Sequence, residues 1–228
     1  MSKVIRISDE TFSRLQNLAE PLVDTPASVI EKLLGEFETT LSKNKSGDQM
    51  KSYNVNSDHN LFLVPADKSN IKQSIQKKVQ FNDASHYLSS SDKKKLNSIL
   101  GQNNSFNCWA MTESNRSTYK KMKSGDYILL SEKGTGKFNF TGRVKGKIES
   151  ESLGNKLWSF TPGKPWSLIY IIDDLKAINI DKQEMVQTLG YSSNYVVPGV
   201  IRVQRQNLNS ALGSYREIKT MINSLNNN

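Results

Sequence analysis

The stretch that decides the fold begins at residues 108–115, CWAMTESN, and continues through KKMKSGDYILL at 120–130 and FNFTGRVKGKI at 138–148. Cys108-Trp109-Ala110-Met111 is an apolar run of the kind a buried strand carries, and Tyr127-Ile128-Leu129-Leu130 is a second. Between them, Tyr119 to Met122 predicts a short helical turn. Downstream, the turn KGTGK at 133–137 precedes strands at Phe138–Phe140 and Arg143–Ile148. Leu157–Phe160 and Ser167–Ile172 continue the series as strands. Asp181 to Leu189 predicts a helix ended by Gly190, Val200–Val203 a last strand, and Leu208–Leu225 a final amphipathic helix. Strands at roughly eight-to-twelve-residue spacing with glycine turns predict a small β-barrel with flanking helices.

Upstream of this region, Leu61-Phe62-Leu63-Val64 is a short strand ended by Pro65, and Asn70 to Val79 carries Ile71, Ile75 and Val79 at helical spacing. SSSDKKKLNSIL at 89–100 predicts a serine-capped helix. Its run Lys93-Lys94-Lys95 is most simply a solvated face. Residues 39–58 are rich in Ser, Asn, Lys and Gly, the composition of a flexible linker. They separate a segment 1–38 from a domain 59–228, whose barrel core spans about 105–205 behind a helical extension.

Segment 1–38 has its own pattern. Lys3-Val4-Ile5-Arg6-Ile7 alternates polar and apolar residues, the period of a strand with one buried face. Ser8 caps a helix whose apolar stripe is Phe12, Leu15, Leu18 and Ala19. Thr25 caps a second, with Pro26 at its first position and Val29, Ile30, Leu33, Leu34 and Phe37 inward. A strand and two helices cannot bury these faces alone, whereas a symmetric dimer would pair the strands.

KVIRI, ISDETFSRLQNLA and DTPASVIEKLL resemble the ribbon-helix-helix family of DNA-binding dimers over residues 3–37. The resemblance implies a homodimer through residues 1–38. Its ribbon would present Val4 and Arg6 to the major groove, and the second helix would offer its amides at Thr25 to Ser28 to a phosphate. A dimerisation module that never touches DNA carries the same pattern.

In the C-terminal half, the order CWAMTESN, KKMKSGDYILL, FNFTGRVKGKI, LWSF, PWSLIYII, LGY and VPGVIRV resembles the EVE and YTH branch of the PUA-like superfamily. That resemblance implies an aromatic pocket for a flipped, modified base. It would be walled by Trp109, Trp158, Tyr191 and Tyr195, with Thr112, Ser114 and Asn115 on its polar side. Core packing is the competing role for each aromatic. Arg116, Lys137, Arg143, Lys145 and Lys147 could line a phosphate path; the three that alternate along one strand could equally be a solvated face. Members of this superfamily are often fused to nucleases or motor proteins of restriction systems, which implies such a partner subunit here.

The charge is consistent with a polyanionic partner. Among 228 residues, 31 Lys and Arg stand against 22 Asp and Glu, a net +9. Residues 1–45 are net −1, residues 46–100 net +3 and residues 101–228 net +7, so the basic excess sits in the barrel half. One cysteine, Cys108, excludes an internal disulfide, and two histidines make a His-built metal centre improbable. No apolar run approaches a membrane span, and MSKVIRISDE lacks a signal-peptide core. The expectation is a cytoplasmic protein without metal or cofactor.

KGTGK lacks the spacing of a Walker loop, Asp173-Asp174 at a strand end begins a turn, and no nucleophile–base set stands out. An enzyme is not expected. The fold class is α+β: a ribbon-helix-helix segment and a PUA-like barrel. The leading function is a non-catalytic reader of a modified, methylated base in DNA, as a specificity component of prokaryotic or phage defence or as a modification-sensitive regulator. A ribbon-helix-helix repressor or antitoxin with a ligand- or partner-binding barrel is one alternative. An RNA-binding PUA-like protein is another.

Overall fold

The computed structural model describes residues 8–17, 25–43, 59–158, 163–192 and 194–227. The chain divides into two compact units, Met1–Asn54 and Val55–Asn228.

In the first unit, α1 spans Asp9–Asn17 and α2 spans Pro26–Lys43. Both caps form as their residue types dictate. Ser8 Oγ accepts from the Thr11 amide at 3.2 Å. Thr25 and Ser28 cap each other: Thr25 Oγ1 accepts from the Ser28 amide at 3.2 Å and Ser28 Oγ accepts from the Thr25 amide at 2.8 Å. Val29 is buried, yet Phe12, Ile30, Leu33 and Leu34 are 40%, 42%, 40% and 50% exposed. Among the described residues this apolar face is left uncovered. The expected strand at 3–7, with Val4 and Arg6, lies outside the described residues, as do Leu18 and Ala19.

The second unit is built on one sheet. In chain order its elements are β1 (Leu61–Ala66), α3 (Lys68–Ser74), β2 (Val79–Gln80), α4 (Phe81–Ser85), α5 (Ser90–Leu100), β3 (Ser105–Met111), a 3-10 turn (Glu113–Asn115), α6 (Arg116–Lys121), β4 (Tyr127–Glu132), β5 (Lys137–Glu149), α7 (Glu151–Leu157), β6 (Leu168–Asp181), α8 (Lys182–Thr188), β7 (Ile201–Arg202), α9 (Arg205–Tyr215) and α10 (Ile218–Asn226). The strand order is β2-β3-β6-β5-β4-β1-β7. β1 pairs with β4 in parallel and with β7 antiparallel, so residues upstream of 105 lie inside the sheet.

The expected closed barrel is corrected: β2 and β7 are the two ends of an open sheet. Each is only two residues long and runs promptly into a helix, α4 or α9, which leaves too little edge to pair across a seam. Four local expectations change as well. Leu157-Trp158 is not strand, because Ser150 Oγ caps α7 by accepting from Leu153 N at 3.1 Å and carries helix through Leu157. The helix expected over 70–79 is confined to Lys68–Ser74, and Val79 belongs to β2. The final helix is two, broken at Arg216, whose φ of 65° is left-handed. Asp173-Asp174 does not begin a turn at a strand end but lies within β6.

Strand alternation sorts the core onto two faces. Leu61 and Leu63 of β1 join Leu129, Ile180 and the helices α8 to α10, whereas Phe62, Val64 and Ala66 face Ile71, Trp109, Tyr119, Ile128 and Tyr170. A third cluster sets Cys108, Ala110, Ile169 and Ile171 against α4, α5 and α7. Trp109 and Cys108, neighbours on β3, therefore point to opposite faces.

Candidate nucleic-acid interface

Trp109 is fixed by register. It stands opposite Tyr170 across the β3–β6 ladder and is 2% exposed. Trp158 follows the end of α7 and is 5% exposed. The two rings meet edge to face, with centroids 6.1 Å apart and planes at 63°. Trp158 Nε1 donates to Ser74 Oγ at 3.2 Å, and Ser74 is completely buried. Asn107 Nδ2 donates to the carbonyls of Ser74 and Ile75 at 3.1 and 2.8 Å, tying the end of α3 to β3. Behind Trp158, α7 approaches the 166 backbone so closely that a Cβ at Gly154 would sit 2.0 Å from the Trp166 carbonyl oxygen.

Thr112, Ser114 and Asn115 leave the end of β3 together. Thr112 Oγ1 and Ser114 Oγ are 2.9 Å apart, and Asn115 Nδ2 donates to Thr112 Oγ1 at 3.4 Å. Arg116 is engaged next to them by two carboxylates. Nε and Nη2 donate to Glu113 at 2.6 Å each, and Nη1 and Nη2 reach Glu149 at 3.2 and 2.9 Å. The Arg116 hydrogen bonds hold the Glu113 carboxyl below its ordinary range, helped by Ser167 and opposed by desolvation.

Tyr191 and Tyr195 do not join this group. They stack on each other at 4.5 Å and 17°, packed against the cluster containing Leu61 and Leu63. Trp109 belongs to the cluster on the other face. Tyr191 Oη accepts from the Gln204 amide at 3.4 Å, and burial raises its pKa.

The cations of β5 all have neighbours. Lys137 Nζ donates to Asn179 Oδ1 at 2.8 Å. Arg143 donates through Nε and Nη2 to the Gly125 carbonyl at 3.1 and 2.9 Å, contacts His59 Nε2 at 3.1 Å, and lies 4.9 Å from the Tyr127 ring centroid. Lys145 is 3.7 Å from Asp173. Lys147 donates to the Tyr119 carbonyl at 2.7 Å over that residue's ring, and burial lowers its pKa. Three shifts of register between β5 and β6 break the strict alternation of these side chains.

Sequence reasoning passed over Ser74, the hydrogen-bond partner of Trp158. Asn70 and Ser74 are buried and four residues apart on α3. Two polar residues at a helical i, i+4 spacing beside Ile71 and Ile75 were the available signal. Among the described residues no group of three His, Cys, Asp or Glu could hold a metal ion, and no helix is long and apolar enough to cross a membrane. Cys108 is fully buried, which pushes its thiol pKa up and leaves it a packing residue.

No protein-family model and no curated protein matches the sequence. Two of the similar solved structures are informative. The N-terminal domain of Thermococcus gammatolerans McrB bound to m5C DNA superimposes with a TM-score of 0.51 at 14% identity, covering 68% of this chain and 96% of that one. The YTH domain of the Zygosaccharomyces rouxii MRB1 protein, in complex with N6-methyladenosine RNA, gives a TM-score of 0.32 at 12% identity, covering 71% and 87%. The first match establishes a shared fold.

Proposed function

We propose that this chain is a non-catalytic DNA-binding protein that recognises a modified, methylated base. The observation that carries the reading is the fold shared with almost the whole of the McrB N-terminal domain, whose structure holds m5C DNA. The net +7 of residues 101–228 supports a polyanionic partner.

The base site in this reading is the corner between Trp109 and Trp158. Two indoles at 63° offer one face for stacking and a second wall against a methyl group, the arrangement a small apolar group needs for discrimination. As the rings stand the corner is closed, so base entry requires Trp158 to leave Ser74. Exchanging that hydrogen bond costs about 1 kcal/mol net, an amount that a flipped base's stacking energy of about 1–3 kcal/mol can offset. Thr112, Ser114 and Asn115 remain the polar side of the site. Tyr191 and Tyr195, on the other face, are not assigned to it. In the first unit, the exposed Ile30, Leu33 and Leu34 favour homodimerisation through residues 1–38. A dimeric reader would serve as the specificity component of a defence system with a separate nuclease or motor subunit.

Fluorescence anisotropy on the full chain at one fixed salt concentration tests this. Duplexes are unmodified or carry methylated adenine, methylated cytosine or hydroxymethylated cytosine, with matched RNA as competitor. A preference of tenfold or more for one modified duplex, about 1.4 kcal/mol, is expected. Equal binding to all of them overturns the reading. It would then favour the repressor reading, for which the exposed face of α2 is the supporting observation.

A further inference from the structure

The pairing of β5 with β6 is interrupted where Thr141 faces Lys176 and Arg143 faces Asp173: Gly142 alone stands against Asp174 and Leu175. This is a β-bulge, a feature that re-aims side chains and recurs beside binding sites. Asp174 takes a left-handed φ of 50° there, an unusual conformation for a residue with a side chain. The bulge depends on close approach, because a Cβ at Gly142 would lie 2.6 Å from Ile172 Cγ2 and 3.1 Å from the Asp173 carbonyl oxygen.

Between this bulge and α10 opens a cleft of about 170 Å³. Arg143, Lys176 and Lys219 line it, with Asp174 as its single acid and Tyr127 and Asn223 as polar walls. Neither Lys176 nor Lys219 forms an ion pair with a described residue. Arg143 is held in place by the Gly125 carbonyl and the Tyr127 ring, so its guanidinium is positioned before any ligand arrives. Lys219 lies in the first turn of α10, where the helix dipole adds positive potential. Three cations against one carboxylate leave a concave surface two charges positive, and a bulge rather than chance crowding brings two of them to one rim.

We propose that this cleft is a phosphate-binding site. Its lining is distinct from the Trp109–Trp158 corner. Lys219 and Asn223 fall beyond residues 105–205, so α10 of this chain completes it. The proposal does not rest on base reading. The phosphate belongs either to a nucleic-acid backbone or to a free phosphomonoester, since the chemistry recognised is the same.

The test compares the full chain with Lys176→Gln/Lys219→Gln and with a charge-matched control, Lys120→Gln/Lys121→Gln, on the exposed face of α6. Thermal unfolding is followed in inorganic phosphate against chloride at equal ionic strength, with amide shifts of Thr141 and Asn223 read by NMR. Phosphate is expected to raise the melting temperature of wild type and control, to move both amides, and to do neither in the cleft variant. A second arm titrates duplex DNA against salt. If the cleft takes a backbone phosphate, the cleft variant loses about two units of the salt slope while the control does not. If it takes a free phosphomonoester, the DNA slope is unchanged and the phosphate response alone is lost. A phosphate response retained in the cleft variant, or absent from wild type together with an unchanged DNA slope, overturns the proposal. Failure of wild type to prefer any modified duplex would sink base reading and leave this site standing.

Discussion

Trp109 and Trp158 meet edge to face at 6.1 Å although one projects from a strand and the other follows a helix nearly fifty residues later. Their meeting makes Ser74 the pivot of the candidate base site, because Trp158 is anchored on its hydroxyl.

Trp158→Phe keeps an aromatic ring but removes the Nε1–H, leaving the completely buried Ser74 Oγ short of a partner. Stability should fall by about 1–2 kcal/mol, read from the urea midpoint. Discrimination between modified and unmodified duplexes should fall at least tenfold in anisotropy. Unaltered discrimination would remove Trp158 from the site.

Asp126 is completely buried and accepts from the Asn60 amide at 2.8 Å, Asn60 Nδ2 at 3.0 Å and the Lys123 amide at 2.8 Å. It ties the start of β1 to the start of β4. Asp126→Ala orphans three donors and should cost about 3 kcal/mol in chemical denaturation. A cost near zero would mean that water replaces the carboxylate.

Gly154 lies within α7, where alanine would ordinarily stabilise by about 1 kcal/mol. Here the sign reverses, because the added Cβ collides with the Trp166 carbonyl. Gly154→Ala should lower the melting temperature, with a cost of about 1–3 kcal/mol. A raised melting temperature would contradict the close approach of α7 to the 166 backbone.

Arg116 holds the Glu113 carboxyl below its ordinary value of 4.5. A depressed carboxylate contributes stability above its unfolded pKa and loses it as pH falls through the folded value. The stability gap between wild type and Arg116→Gln should therefore be full at neutral pH and close in acid below about 4.5. A gap independent of pH across that range would show that the ion pair is not its source.

Ile30, Leu33 and Leu34 form an exposed face on α2. Leu33→Lys with Leu34→Lys should convert a dimer to a monomer in sedimentation equilibrium while leaving the helical signal of the second unit intact. Wild type that already sediments as a monomer would refute dimerisation.

Much of this was local and therefore legible. Ser8, Thr25 and Ser89 each cap a helix. The apolar runs at 61–64, 108–111, 127–130 and 167–172 all enter one sheet. One failure lay just outside the segment that was read. LWSF has the composition of a strand, but its first residue ends a helix capped seven residues earlier.

By itself the sequence determined the caps at Ser8, Thr25 and Ser89 and the apolar strand runs, because each depends on neighbours within a turn or a pleat, and the basic excess of the second half, which is composition alone. Only the tertiary structure decided that the sheet stays open, that Tyr191 and Tyr195 lie across it from Trp109, and that Ser74 supports Trp158. It also decided that Lys176 and Lys219 share a cleft. Strand order, face and bulge position follow from long-range packing, and one shift of register reverses which way a side chain points.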